Sequence, residues 1–150
     1  MNEATALVIL AMWLLGGREF NLCFAIFVYY VAYISLDYTL FNVSYFTPVD
    51  AVLYYLVQAW LDVAMIAIIL TILANDIKIM ALHWGYAAII GTSLICDSMM
   101  AVNVQISFDW LYYLHTIRNT FSIPLDVVFA FAGSGLIAKL PSFSVRLRTS

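Results

Sequence analysis

Charged side chains are scarce in this chain. Only 10% of its 150 residues are Asp, Glu, Lys or Arg, whereas 65% are hydrophobic, and soluble domains carry about 25% charged residues. The mean hydropathy is +0.99. A water-soluble fold is therefore excluded, and the sequence predicts a single domain, residues 1–150, whose surface contacts a lipid bilayer.

Basic residues, cysteines and catalytic motifs are also sparse or absent. Six Lys and Arg residues against nine Asp and Glu residues give a net charge of −3, so no basic surface is available for nucleic acid. Cys23 and Cys96 lie far apart and form no CxxC motif, which argues against a thiol-redox or zinc site. The sequence contains no HExxH, GxSxG or P-loop motif. We therefore predict no enzyme, no cofactor and no metal site.

Long apolar runs alternate with short polar or proline-containing segments. The runs predict an all-α, polytopic membrane bundle of four transmembrane helices, since a span takes about 20 residues. The predicted spans are about 20–40, 50–74, 79–102 and 121–140. Residues 103–120 carry several aromatic residues and are predicted to form an interfacial helix at the outer face. Residues 141–150 form the tail.

The N-terminal apolar segment, residues 4–15, is short for a span. It has Glu3 where a signal peptide would have a basic region. Three alternatives remain: an interfacial helix, a re-entrant helix, or a fifth span with little tilt.

The basic residues predict the orientation of the bundle. Five of the six fall on one side of the four predicted spans, and Arg118 alone falls on the other. The five are Arg18, Lys78, Lys139, Arg146 and Arg148. Because Lys and Arg favour the cytoplasmic side, we expect a cytoplasmic C-terminus in a plasma membrane or bacterial inner membrane.

Aspartates within the spans are the strongest functional signal, because a carboxylate at the bilayer centre costs roughly 2.5 to 3.5 kcal/mol on insertion scales. Asp62 falls at the middle of its span, and Asp50, Tyr54, Gln58 and Asp62 recur every four residues as one polar ridge. The other acids fall towards the outer ends of their spans, and His83 falls near an inner end. The candidate path residues are Asp62, Gln58, Asp97, Asp37, Asp126, Asp50 and His83.

Each predicted span carries one polar face. His83, Ile90 and Asp97 are seven residues apart on the third span, and Tyr30 and Tyr33 share a face with Asp37 on the first. We expect these faces to turn inward, where tyrosine hydroxyls can donate to the carboxylates. The same pattern also fits hydrogen bonds that only hold the helices together.

Small residues recur on the last two spans and allow close helix approach, either within the bundle or between subunits. The positions predicted to pack helices are Gly85, Gly91, Gly133 and Gly135. The run 133–135 also offers a place where the helix is loosened and frees backbone carbonyls.

Two functions remain open from the sequence. The first is a homo-oligomer that alters membrane permeability to protons or small cations, as a channel, pore or holin-like protein, with aspartates lining a path between subunits. The second is a non-conducting subunit that binds other membrane proteins. The first predicts that Asp62 faces a wet or inter-subunit surface, and the second predicts that it is hydrogen-bonded inside a dry bundle.

Overall fold

The computed structural model describes residues 3–17, 21–41, 48–73, 80–106 and 108–139, and within these ranges the chain is helical apart from short turns. The helices are α1 (Glu3–Gly16), α2 (Leu22–Phe41), α3 (Pro48–Ile68), α4 (Met80–Ile106), α5 (Asp109–Gly133) and α6 (Leu136–Lys139). A π-helical turn, Ile69–Leu73, extends α3. The prediction of an all-α fold is confirmed.

Three of these helices are long and apolar enough to cross a membrane. Their apolar windows are Leu22–Thr39 in α2, Val49–Thr71 in α3 and Ala81–Val104 in α4. The helix α1 has only 14 residues, and α5, which carries three charged residues, is not among the three. Large apolar side chains such as Trp60, Trp84 and Val128 are exposed on the bundle surface, as expected where the surroundings are lipid.

Four helices form a closed ring around the interior. The helix α2 packs on α3, α3 packs along most of α4, α4 packs on α5, and α5 packs back on α2. Consecutive helices are joined by short connections, which makes neighbours antiparallel. We call the end of the bundle where α4 is followed by α5 the α4–α5 end.

The helix α1 lies against α2 and α5. It runs antiparallel to α2: the Tyr38 hydroxyl donates to the Glu3 carboxylate near one end, and the rings of Trp13 and Phe24 are 4.7 Å apart near the other. At about 1.5 Å per residue its 14 residues extend about 21 Å. The helix α1 therefore runs alongside the bundle, and the three alternatives for the N-terminal segment stay predictions.

Residues 103–120 do not form a separate interfacial helix, so that prediction is wrong. The helix α4 continues to Ile106, the Phe108 N–H donates to the side-chain oxygen of Asn103 at 2.6 Å, and α5 begins at Asp109. The reason is that residues 109–120 share one buried helical face with the remainder of α5, since Leu111 and Asp126 are both buried on that helix.

The predicted span 121–140 is also displaced. Pro124, expected in its first turn, lies inside α5, and the helix ends at Gly133. Gly135 has a φ of +76°, a conformation that favours glycine and ends helices. The chain then forms the short helix α6. The loosened backbone considered for residues 133–135 is therefore a helix end.

The predicted packing glycines have different surroundings. A Cβ at Gly133 would lie 2.8 Å from Leu22 Cβ, and one at Gly85 would lie 3.4 Å from the Phe129 ring. A Cβ at Gly91 would meet nothing within 4 Å among the residues that the structure describes. Gly133 thus permits close packing of α5 on α2, whereas Gly91 faces open space.

Several of the basic residues used to predict orientation fall outside the described residues. These are Arg18, Lys78, Arg146 and Arg148, together with the predicted tail. Lys139 ends α6.

Candidate functional site

The interior of the bundle contains carboxylates. Asp62 on α3, Asp97 on α4 and Asp126 on α5 are 0%, 0% and 2% exposed. Gln58, His83 and Ser93 are buried as well. The prediction that the polar faces of the helices turn inward is confirmed for these residues.

Asp62 is bound by two tyrosines of α2. The hydroxyls of Tyr29 and Tyr33 both donate to its Oδ1, the latter at 3.0 Å. Its Oδ2 is buried and has no hydrogen-bond partner among the described residues. Asp62 can therefore hold a proton on Oδ2 while Oδ1 keeps both hydroxyl contacts.

Asp97 is linked to Asp62 through the same tyrosine. The Tyr33 hydroxyl lies 3.3 Å from Asp97 Oδ2 as well as 3.0 Å from Asp62 Oδ1. One hydroxyl on α2 thus bridges carboxylates on α3 and α4, and it can donate to either one.

The remaining partners of Asp97 come from α5. Arg118 Nη2 lies 3.4 Å from its Oδ2. His115 Nε2 lies 3.4 Å from its Oδ1, a distance that suits an ion pair when the imidazole is protonated but lacks hydrogen-bond geometry. The set Tyr29, Tyr33, Asp62, Asp97, His115 and Arg118 is called the Asp62–Asp97 cluster below.

Arg118 is held in place by three neighbours. Its Nε donates to Ser93 Oγ at 2.9 Å, and its Nη1 donates to Asn119 Oδ1 at 2.6 Å, in addition to the Asp97 contact. The Arg118 side chain is 13% exposed. A buried guanidinium therefore offsets the charge of one carboxylate in the cluster.

Asp126 forms a second group, the Asp126 cluster, with two other tyrosines. Tyr30 donates to its Oδ2 and Tyr86 donates to its Oδ1, both at 2.8 Å, so both oxygens are bonded. Tyr30 lies near the middle of α2. Asp126 thus lies deeper than the outer third of its helix, where the sequence placed it, because α5 begins at Asp109.

Two adjacent residues of α2 belong to different clusters, and the clusters are not joined. Tyr29 belongs to one and Tyr30 to the other, yet no hydrogen bond connects the clusters among the side chains that the structure describes. The interior therefore holds two hydrogen-bonded groups rather than one continuous chain.

The other predicted path residues are arranged differently. Asp37 accepts a hydrogen bond from Tyr54 at 2.6 Å and belongs to neither cluster. Asp50 is half-buried in the first turn of α3. His83 is buried in the first turn of α4, towards the end opposite the α4–α5 end. Gln58 lines a cavity beside the Asp62–Asp97 cluster.

That cavity has a volume of about 120 Å³ and lies between α2, α3 and α5. Its polar lining comes from Tyr33, Tyr54, Gln58, His115, Arg118, Asn119 and Ser122. The cavity lies beside the Asp62–Asp97 cluster, since Tyr33, His115 and Arg118 line it.

Three members of the Asp62–Asp97 cluster were missed from the sequence. Arg118 and His115 were assigned to the interfacial helix, and Tyr29 was not singled out. A signal was present: residues 111, 115, 118, 122 and 126 recur every three or four positions, which predicts one continuous helical face. Tyr29 is likewise four residues before Tyr33.

The described residues include no group of three or more His, Cys, Asp or Glu side chains placed to hold a metal ion.

The chain matches no protein-family model, no curated protein and no solved structure. Its function must be inferred from the chemistry of the buried clusters.

Proposed function

We propose that the protein carries protons across a membrane through the buried side chains of one helical bundle, alone or coupled to another solute. The observation that supports this is the Tyr33 hydroxyl placed between Asp62 and Asp97 in the interior. Ionisable groups at this depth are costly, and relays of such groups are a recurrent reason for their presence in transporters and pumps.

The chemistry of the bridge suits proton transfer. A protonated Asp97 donates its proton to the Tyr33 oxygen while Tyr33 passes its own hydroxyl proton to Asp62. Asp97 is then a carboxylate, Tyr33 is again a phenol, and Asp62 is a carboxylic acid. Because hydroxyl and carboxyl groups both donate and accept hydrogen bonds, this step needs no open channel.

The proposed route begins at the α4–α5 end. Protons reach Asp97 through the polar cavity beside His115, pass Tyr33 to Asp62, and leave Asp62 towards Asp126. Since no hydrogen bond joins the two clusters among the described residues, this last transfer requires a side chain to rotate or water to enter. His83 lies on the far side of Asp126 and is the proposed exit.

We propose protons rather than small cations in general as the transported species, because the carboxylates are enclosed by the helices. Asp62 and Asp97 are 0% exposed, so a hydrated metal cation cannot reach them while the helices stay packed. Asp62 does not face the wet or inter-subunit surface that the permeability hypothesis predicted from the sequence. We therefore propose a path inside each bundle rather than between subunits. We retain the proposal of a homo-oligomer, or a complex with other membrane subunits, formed through the exposed apolar faces.

The proposed orientation follows from charge. We place the α4–α5 end outside and the C-terminus in the cytoplasm of a plasma membrane or bacterial inner membrane, with α1 and α5 also crossing the bilayer. In this orientation Lys139, at the end of α6, is cytoplasmic, and Arg118 is paired with Asp97.

The second candidate function is a non-conducting membrane subunit whose polar interior fixes how its helices pair. Two observations favour it: both oxygens of Asp126 are bonded, and Asp62 is hydrogen-bonded inside the bundle, as this function predicts. Polar contacts between helices stabilise membrane bundles without transporting anything.

Proton flux into liposomes separates the two. Purified protein is reconstituted, a potassium gradient with valinomycin sets the membrane potential, and an enclosed dye reports pH. The variants are Asp62→Asn and, as a matched control, Asp109→Asn, which changes an exposed carboxylate at the start of α5. We expect flux from the wild type and the control, and about tenfold less from Asp62→Asn. A folded wild type without flux would favour the non-conducting subunit.

A further inference from the structure

The polar cavity beside the Asp62–Asp97 cluster has a size that suits a small ligand. Its volume of about 120 Å³ holds several waters, since about 10 to 15 Å³ is enough for one. Helices α2, α3 and α5 all contribute to its wall. The cavity is therefore part of the folded bundle and does not depend on a mobile loop.

Gln58 is the unusual group in the wall. Its side chain is buried, at 5% exposure, it lines the cavity, and it makes no hydrogen bond within the described residues. A primary amide offers two N–H donors and one carbonyl acceptor. The amide reaches the cavity rather than dry protein, so a polar occupant of the cavity can bond it.

Arg118 supplies the charge. A guanidinium has five N–H donors, and three of them contact Ser93, Asn119 and Asp97, which leaves two. The side-chain nitrogen of Asn119 lies beside His115 at 3.4 Å. Tyr33 and Tyr54 donate to aspartates instead. Gln58 and Arg118 therefore contribute the spare donors of the cavity wall.

We propose that this cavity binds a small monovalent anion of the size of chloride or formate, held by Arg118 and the Gln58 amide. A positive charge with spare N–H donors favours an acceptor without donors of its own. The cavity volume admits such an anion together with water.

The neighbouring carboxylates set the condition for binding. Asp97 competes for Arg118, Asp62 lies behind Tyr33, and Asp37 is bonded to Tyr54, so negative charge on any of them opposes the anion. A positive charge on His115 acts in the opposite sense. An anion bound here lowers the electrostatic cost of a proton on Asp97; this coupling to proton uptake rests on the proposed function, whereas binding itself does not.

The test is the thermal unfolding midpoint of purified protein in a mild detergent. Chloride or formate replaces gluconate at constant ionic strength, so that only the identity of the anion in the buffer changes. Because a ligand that binds the folded state stabilises it in a saturable way, we expect the wild-type midpoint to rise by a few degrees and level off.

Variants at Gln58 assign the effect to the cavity. Gln58→Leu removes the amide and Gln58→Glu adds a negative charge, and both are expected to abolish the rise. The matched control is Thr116→Ala on the exposed side of α5, which should keep it. If the Gln58 variants do not fold, the chloride NMR signal is measured with wild-type protein instead. We then expect the protein to broaden this signal and formate to reverse the broadening.

A midpoint that does not respond to chloride or formate would overturn the proposal. So would a rise that never saturates and is equal in the wild type and both Gln58 variants, because that behaviour is a general salt effect. Proton flux that persists without anion binding would overturn this inference and leave the proposed function standing. Anion binding without proton flux would overturn the proposed function and leave this inference standing.

Discussion

Asp62 on α3 and Asp97 on α4 share one hydroxyl group, that of Tyr33, which lies 3.0 Å from the first carboxylate and 3.3 Å from the second. These two acids are 35 residues apart in the sequence and both are fully buried. Their connection through a group that can donate and accept protons is the basis of the proposed function.

Removing the bridging hydroxyl should interrupt proton movement more than removing its neighbour. Tyr33→Phe deletes the hydroxyl that contacts both carboxylates, whereas Tyr29→Phe deletes a hydroxyl that contacts only one of the two, Asp62. We expect proton flux in liposomes to fall about tenfold or more in Tyr33→Phe and by much less in Tyr29→Phe. Equal flux in the two variants, both folded, would show that the bridge is not used.

Breaking the buried ion pair should destabilise the bundle. Asp97→Asn leaves the Arg118 guanidinium, 13% exposed, without its charged partner, and such a loss costs about 3 kcal/mol. Adding Arg118→Gln should restore part of this stability. The free energy of unfolding in mixed detergent micelles, measured for the two single variants and the double variant, checks the prediction; additive losses would contradict it.

The hydrogen bonds to Asp126 should contribute measurably to stability. Tyr86→Phe removes a 2.8 Å bond to a buried carboxylate, which is worth about 1.5 to 3 kcal/mol when the partner is charged. Tyr113→Phe, at an exposed tyrosine of α5, is the control and should change stability by less than about 0.5 kcal/mol. The same unfolding measurement applies, and indistinguishable variants would argue against a tight Asp126 cluster.

Two glycines on neighbouring helices should respond differently to alanine. In Gly133→Ala the new Cβ would lie 2.8 Å from Leu22 Cβ, so α5 and α2 must separate, whereas Gly91→Ala meets open space. We expect Gly133→Ala to lower the unfolding midpoint and Gly91→Ala to leave it unchanged or raise it slightly, since alanine favours helix. A loss of oligomer in Gly91→Ala, seen by light scattering in detergent, would instead place Gly91 in a contact between subunits.

Much of the interior could be predicted from the spacing of polar residues. The four-residue ridge of α3 placed Gln58 and Asp62 on one face, and the seven-residue spacing of α4 placed His83 and Asp97 on another. Both faces are buried. Helical periodicity fixes which side chains share a face, so this part of the site needed no knowledge of the neighbouring helices.

The pairings between helices could not be predicted in the same way. That Tyr30 bonds Asp126 while the adjacent Tyr29 bonds Asp62 depends on α2 packing between α3 and α5. Periodicity carries no information about which helices are neighbours. The extent of α5 was missed for a different reason: its exposed aromatic residues resemble those of an interfacial helix, although Leu111, His115 and Arg118 continue the buried face.

The most direct test of the central claim is proton flux from vesicles that hold at most one protein each. If each bundle contains its own path, the fraction of vesicles that change pH should follow the random loading of single copies, and Asp62→Asn should abolish the change while Asp109→Asn does not. If single copies are silent and flux appears only when several share a vesicle, or if folded Asp62→Asn conducts like the wild type, the path does not run through the interior of one bundle.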